Sequence, residues 1–270
     1  MRSSACALWL YGFLLVTIVS VVRGQLEPDF MSVRKNVTKE YESKTRIPTE
    51  KYFHQPHCSF HHHYDGRFAN ETLPDTEVIP HLSALIQTYF TTMNAIGAET
   101  WIMHGTLLAW WWNQKARTED ISEATIHFLA DYYNMTEHHF DIPNVKGGRT
   151  YMLEINPNYL VKSEKDTLNK IDARWIDMSS GLFIDITAVR KDEEKRSQGN
   201  PEALTCKDKH HYDESDIFPL RESLFEGVTV KIPYAYTYLL EEEYSAKALT
   251  RTSFYGHTFN EHTKIWESAS

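Results

Sequence analysis

Between residues 78 and 95 the apolar side chains Ile79, Leu82, Leu85, Ile86, Tyr89, Phe90 and Met93 return at the spacing of one helix face. A helix with such a stripe must bury it against something, and Gly97 supplies its stop. Further along, the chain turns to strands. Residues 151–156, Ala173–Asp177 and 182–189 are short runs rich in β-branched and aromatic residues, and Val228–Ile232 is another, bounded by Gly227 and Pro233. Residues 100–104 read as a short strand, Gly105-Thr106 as a turn, and residues 107–115 as a tryptophan-rich helix. Residues 122–134 read as a helix capped by Ser122, with Ile126, Leu129 and Tyr133 on its apolar side. Residues 192–200 read as a charged loop, and Tyr236–Tyr244 as a closing helix. The order predicts an α+β fold with a small sheet covered on one side.

The N-terminus sets the compartment. Arg2 precedes an apolar run over residues 5–22, and Val22-Arg23-Gly24 gives a cleavage pattern before Gln25. Residues 1–24 therefore read as a signal peptide or an uncleaved signal anchor, the run being short against the roughly 20 residues of a membrane span. Asn36, Asn70 and Asn134 each begin a glycosylation tripeptide. With Cys6 in the leader, Cys58 and Cys206 are left, as one disulfide or as two buried thiols. Residues 25–75 read as an extended arm, carrying His54, His57, Cys58, His61, His62 and His63. That cluster has metal-ligand residue types but no zinc-finger spacing. Residues 76–267 form the folded domain. The 28 Lys+Arg against 37 Asp+Glu, a formal charge of −9, exclude a nucleic-acid partner held by phosphate contacts.

Three places can carry chemistry. A helix that starts just after Gly105-Thr106 points backbone N–H groups at whatever binds there, which favours phosphate. His104 and Lys115 flank this element, as phosphate contacts or as a core residue and a helix-end charge. In Gly181-Leu-Phe-Ile-Asp-Ile-Thr187, strand alternation puts Asp185 on a face with Phe183 and Thr187, opposite Ile184 and Ile186. Such a carboxylate is a ligand for a hard cation or an exposed acid on a half-buried sheet. The third is Cys206-Lys-Asp-Lys-His-His-Tyr212, whose polar residues hold a substrate or form a plain charged loop. Arg174, beside Asp172 and Asp177, reads as a structural ion pair, and Trp110, Trp111 and Trp112 as core.

Several of these segments together resemble the LicD family, in its fungal branch associated with mannosyl-phosphate transfer to glycans, with fukutin-type sugar-phosphate transferases as more distant relatives. The residues that carry the likeness are Glu99 to Leu108, Trp110 to Lys115, Tyr151 to Pro157, Ile171 to Asp177, Gly181 to Thr187, Cys206 to Asp208, Asp216 to Arg221 and Phe225 to Gly227. The resemblance implies a nucleotidyltransferase-like fold, a small mixed sheet with flanking helices. It implies a transferase that moves a phospho-substituent from a nucleotide-linked sugar donor to a glycan acceptor of secretory or cell-wall glycoproteins. The setting would be the Golgi lumen or membrane, or outside the cell, and a Golgi glycosyltransferase is an implied partner. By that likeness Asp185 is the catalytic and metal-binding third carboxylate, for Mn²⁺ or Mg²⁺, and Gly105 and Thr106 match the turn that holds the donor; His104 and Lys115 flank that turn, as donor contacts or as a core residue and a helix-end charge. The sequence departs from the pattern at one point. Relatives carry an Asp-x-Asp pair after the tryptophan-rich helix; here Lys115 leads into Ala-Arg-Thr-Glu-Asp-Ile121, with no such pair before Tyr132. The alternative is a non-catalytic member that regulates a glycan phosphotransferase.

Overall fold

The structure is a computed structural model that describes residues 49–53, 63–113, 118–122, 125–126, 129–130, 134–162 and 164–268. The expected helix is α1 (Asp75–Ile96), which extends past the apolar stripe at both ends. It ends at Gly97, whose φ of 72° is left-handed, with the Gly97 N–H on Asn94 O and the Ala98 N–H on Met93 O. Among the described residues no helix is long and apolar enough to cross a membrane.

The fold is mixed α+β, as expected, but the sheet is not small. Eight strands belong to it: β1 (Thr100–Ile102), β2 (Thr118–Ser122), β3 (Thr136–Phe140), β4 (Arg149–Ile155), β5 (Ala173–Asp177), β6 (Phe183–Lys191), β7 (Ala203–Thr205) and β8 (His211–Asp213). The main path runs β1-β2-β6-β5-β4-β3, and β7 continues from the end of β6 to β8. Only β2 and β6 run parallel among these pairs. A hairpin of β9 (Arg221–Phe225) and β10 (Val228–Ile232), and a three-stranded sheet of β11 (Ser253–Phe254), β12 (His257–Asn260) and β13 (Ile265–Ser268), stand beside it.

One sheet face is the core. Tyr151, Leu153 and Ile155 of β4, Trp175 of β5, and Ile184, Ile186 and Ala188 of β6 are all buried and share a cluster with Leu85, Tyr89, Phe90 and Met93 of α1. The Trp175 indole N–H donates to Thr88 Oγ1 on α1 at 3.1 Å, and its ring stacks on Tyr151 at 5.8 Å. The opposite face is polar, and part of the N-terminal arm lies on it. Phe53 is buried, the Asp65 N–H donates to Gly181 O, and Tyr64 bridges to Leu182.

Three local expectations change. Gly105 and Thr106 form no separate turn; they lie in the first turn of α2 (His104–Asn113). Ser122 ends strand β2 instead of capping a helix, although residues 125–126 and 129–130 are helical and Ile126 and Leu129 are buried. The charged loop contains α3 (Glu193–Ser197), because the Asp192 carboxylate accepts the Lys195 N–H at 3.0 Å and acids fill the first turn. Two further α-helices are described, α4 (Glu214–Ile217) and α5 (Tyr236–Tyr244), the second as expected, and a 3-10 helix over Ala246–Leu249 follows α5. The three tryptophans expected in the core are not buried: Trp110 and Trp112 are half-buried and Trp111 is exposed, and their indole N–H groups anchor them, Trp110 donating to Ser223 Oγ, Trp111 to Leu249 O and Trp112 to Ala248 O.

Trp175 is fully buried while Tyr255 is 86% exposed. Trp175→Ala should cost about 3–5 kcal/mol in urea unfolding, from lost transfer energy and the cavity left behind. Tyr255→Ser should stay within about 0.5 kcal/mol.

Candidate functional site

On the polar face the sheet register sets up a row. Glu154 of β4 stands opposite Arg174 of β5, Arg174 opposite Asp185 of β6, and Asp185 opposite Thr118 of β2. Arg174 is buried and donates from Nε to Asp185 Oδ1 at 2.7 Å. Its guanidinium lies 3.7 Å from the Phe183 ring centre and 4.7 Å from that of Phe53. Arg174 thus makes its ion pair with Asp185, not with its sequence neighbours Asp172 and Asp177. Asp172 pairs with Arg190 at 3.1 Å, and Asp177 with His81 at 2.6 Å. Glu154 is satisfied from the arm, by Tyr52 Oη at 2.9 Å and by Arg67, which also holds Asp65. Burial pushes the Asp185 carboxyl above its ordinary range, with Arg174 pulling the other way. Burial and the Glu154 carboxylate push the Tyr52 hydroxyl up to about 12.

The start of α2 comes to the same end of the sheet. Strand β1 runs directly into it, and Ile102 pairs with Glu119, next to Thr118 and hence to the row that holds Asp185. At neighbouring-strand spacings of about 4.8 Å, β1 and β6 are about 10 Å apart across β2. Beside this end opens a cleft of about 380 Å³, lined among others by Met103, Lys195, His210, Tyr212 and Glu243. His104 opens α2 with φ 51°, in the left-handed region. Its Nδ1 lies 2.9 Å from Glu243 Oε2 on α5, and its Nε2 lies 3.4 Å from the Tyr212 hydroxyl on β8. The His210 ring, from the turn between β7 and β8, is 4.4 Å from the His104 ring. Burial, and then the neighbouring His104, hold the His210 imidazole below its ordinary pKa. Burial alone would raise the Glu243 carboxyl, but the hydrogen bond and charge of His104 lead a set of effects that leave it lowered.

The sequence-predicted residues are therefore distributed. His104 stands behind the cleft wall, bonded to its lining residues Glu243 and Tyr212. Gly105 follows it, whereas Thr106 is fully buried, with its N–H on Met103 O. Asp185 lies at the same sheet end, in its ion pair. Lys115 lies outside the described residues, as do Asn36 and Cys58. Asn70 and Asn134 are exposed, and Cys206 is buried at the end of β7. His210 and Tyr212 come from the third sequence candidate. Glu243 was not singled out, yet a signal existed. Glu241, Glu242 and Glu243 crowd the last turn of α5, where the helix dipole disfavours acids.

No family model matches the chain. It is similar to two proteins of Saccharomyces cerevisiae. It is 29% identical over 178 residues to mannosyltransferase regulator 14, across 58% of this chain and 19% of that protein. It is 32% identical over 136 residues to mannosyltransferase regulator 4, across 47% of this chain and 11% of that protein. The chain thus spans less than a fifth of the length of either relative.

Two outcomes are expected from this geometry. Arg174→Met strands Asp185 on a half-buried sheet face and should cost about 3–5 kcal/mol, while adding Asp185→Asn should recover part of the loss in a double-mutant unfolding cycle. Glu243 is a lowered carboxyl, so its stabilisation is present above the ordinary carboxylate range and is lost as pH falls toward the lowered value. Glu243→Gln should reduce Tm by about 2–4 °C at neutral pH. That gap should close on acidification below about pH 4.

Proposed function

We propose that this protein is a non-catalytic module that regulates mannosyl transfer onto glycans in the secretory pathway. The observation that carries this reading is the Arg174–Asp185 ion pair at 2.7 Å. The resemblance assigns Asp185 to a divalent-metal set, and Mg²⁺ or Mn²⁺ needs several oxygen ligands. Among the described side chains that set is reduced to one carboxylate, already neutralised by a guanidinium, so the residues do not fit an Mn²⁺ or Mg²⁺ centre. The position across from Asp185 on β2 is Thr118, not an acid. The names of the two similar yeast proteins support the same direction, since both are regulators of a mannosyltransferase. The nucleotidyltransferase-like likeness, the leader and the three glycosylation tripeptides support a luminal setting and recognition of a sugar nucleotide or a glycan.

A second reading keeps the transferase itself. In the register of β2 against β6, Asp120 stands opposite Thr187, two positions along from the Thr118–Asp185 pair. Two acids on adjacent strands form the minimum of a metal pair. Tagged full-length protein, purified from the membranes of the cells that make it, separates the two readings in an assay with a nucleotide-linked mannose donor and a glycan acceptor. Under the regulatory reading, mannosyl transfer co-purifies with the tagged chain, and the chain isolated from its partners transfers nothing. Divalent-metal-dependent transfer by the isolated chain, abolished by Asp185→Asn or Asp120→Asn, would establish the second reading instead.

A further inference from the structure

We infer that His104, His210 and Glu243 form a binding site for a transition-metal ion, Zn²⁺ foremost, at the mouth of the cleft. The inference does not depend on the proposed function. One ligand atom from each of the three residues lies within 4.8 Å of the others. They come from three separate elements: the first residue of α2, the turn between β7 and β8, and the last turn of α5. Two imidazole nitrogens and one carboxylate oxygen are a borderline donor set. It suits Zn²⁺, Co²⁺, Ni²⁺ and Cu²⁺, and not Mg²⁺ or Ca²⁺, which take oxygen.

The geometry is near what such an ion requires. Ligand atoms about 2.0–2.1 Å from a tetrahedral metal stand about 3.3 Å from one another. The His104 Nδ1 to Glu243 Oε2 distance is 2.9 Å and must open slightly, while the widest spacing in the set, within 4.8 Å, must close by up to about 1.5 Å, a side-chain rotation. With Nδ1 as ligand, the Nε2–H of His104 faces the Tyr212 hydroxyl at 3.4 Å. An oxygen there orients the ring and fixes its tautomer, as outer-sphere partners of metal-bound histidines do. The left-handed φ of 51° at His104 is uncommon for a residue with a side chain, and it sets the imidazole at the junction of β1 and α2.

A simple ion pair between His104 and Glu243 would not need His210. The His210 ring nevertheless lies 4.4 Å from that of His104, tilted by 46°. Three protein ligands leave a fourth position. His210 and Glu243 both line the cleft, so that position is reached from it by water or by an oxygen of a bound ligand. The same ion would tie α5 to the start of α2.

The full chain, stripped of metal with a chelator, tests this by calorimetric titration with Zn²⁺ and by absorption with Co²⁺. The expected result is one equivalent of Zn²⁺, and visible ligand-field bands of tetrahedral Co²⁺. His210→Gln and Glu243→Gln should each weaken Zn²⁺ binding by at least about a hundredfold, and Tyr212→Phe by about tenfold. Replacing His54, His57, His61, His62 and His63 by Ala and Cys58 by Ser should leave that equivalent in place. Absence of tetrahedral Co²⁺ bands in the unsubstituted protein overturns the proposal, whatever the variants do. So does a Zn²⁺ equivalent that is lost with the arm substitutions, or one that is unchanged by both His210→Gln and Glu243→Gln. Zn²⁺ should raise the Tm of the unsubstituted chain, a readout that misfolding of a variant cannot affect, and should not raise that of Glu243→Gln.

Discussion

Much of this structure turns on the neutralisation of one buried cation. Arg174 sits on the central strand of the sheet, on the face that α1 does not cover, with 3% of its surface exposed. A guanidinium is never discharged at physiological pH, so it must find anions and hydrogen-bond acceptors within the protein. Asp185 meets it on one neighbouring strand, and Glu154 stands opposite it on the other. Phe183 and Phe53 cover it. That brings the N-terminal arm into the fold, because Phe53 and Tyr52 arrive together and Tyr52 bonds Glu154. Arg67 then joins Glu154 to Asp65, whose backbone N–H is held by Gly181 at the entrance to β6. A single charge thus explains why a second layer of polypeptide lies on a face that no helix covers among the described residues. It also explains why Asp185 is committed to structure.

The sequence revealed the elements whose pattern is local. The stripe of α1 and its Gly97 stop, Ala173–Asp177, Val228–Ile232 and Tyr236–Tyr244 all arise from spacing and bounding residues. Strand alternation also placed Asp185 on the face opposite Ile184 and Ile186, both buried. Elements that depend on partners were hidden. Thr118–Ser122 has too few apolar residues to announce a strand; it is one because β1 and β6 flank it. The same holds for β7 and β8, three residues each, which exist by pairing with each other and with β6. Arg174 was recognisable as an ion-pairing residue, but its partner was not, since cross-strand neighbours eleven residues apart leave no local signature. Glu243 was hidden for the same reason. It lies 139 residues from His104, and only the unfavourable acids at the end of α5 mark it.

The two clusters at this end of the sheet favour different chemistry. Around Asp185 the acceptor is a carboxylate oxygen, and an arginine is its partner. Around His104 the donors are mostly nitrogen, at the rim of an open cleft. Oxygen sites of the first kind stabilise phosphoryl transfer by neutralising charge at the moment it develops. A guanidinium beside such a carboxylate supplies positive charge but, unlike a metal ion, no exchangeable coordination position. A phosphate group could still be attracted to this sheet end, by the start of α2 as much as by any ion. Attraction alone binds ground state and transition state alike, and such uniform binding does not accelerate chemistry.

That distinction makes the regulatory reading a physical one. A domain that recognises a donor or glycan without transferring it affects mannosyl transfer only through what it touches. It can hold a substrate near an enzyme, where effective concentration replaces diffusion, or it can favour one state of the enzyme through differential contacts. Both routes require a surface whose shape is stable when no chemistry occurs. The Arg174 network supplies this on the polar face of the sheet, with Asp185 held in its ion pair. At the cleft, His104 and Glu243 already join α2 to α5 across 139 residues of chain. A bound ion there would convert a pH-sensitive contact into a fixed one and hold the cleft in a single form.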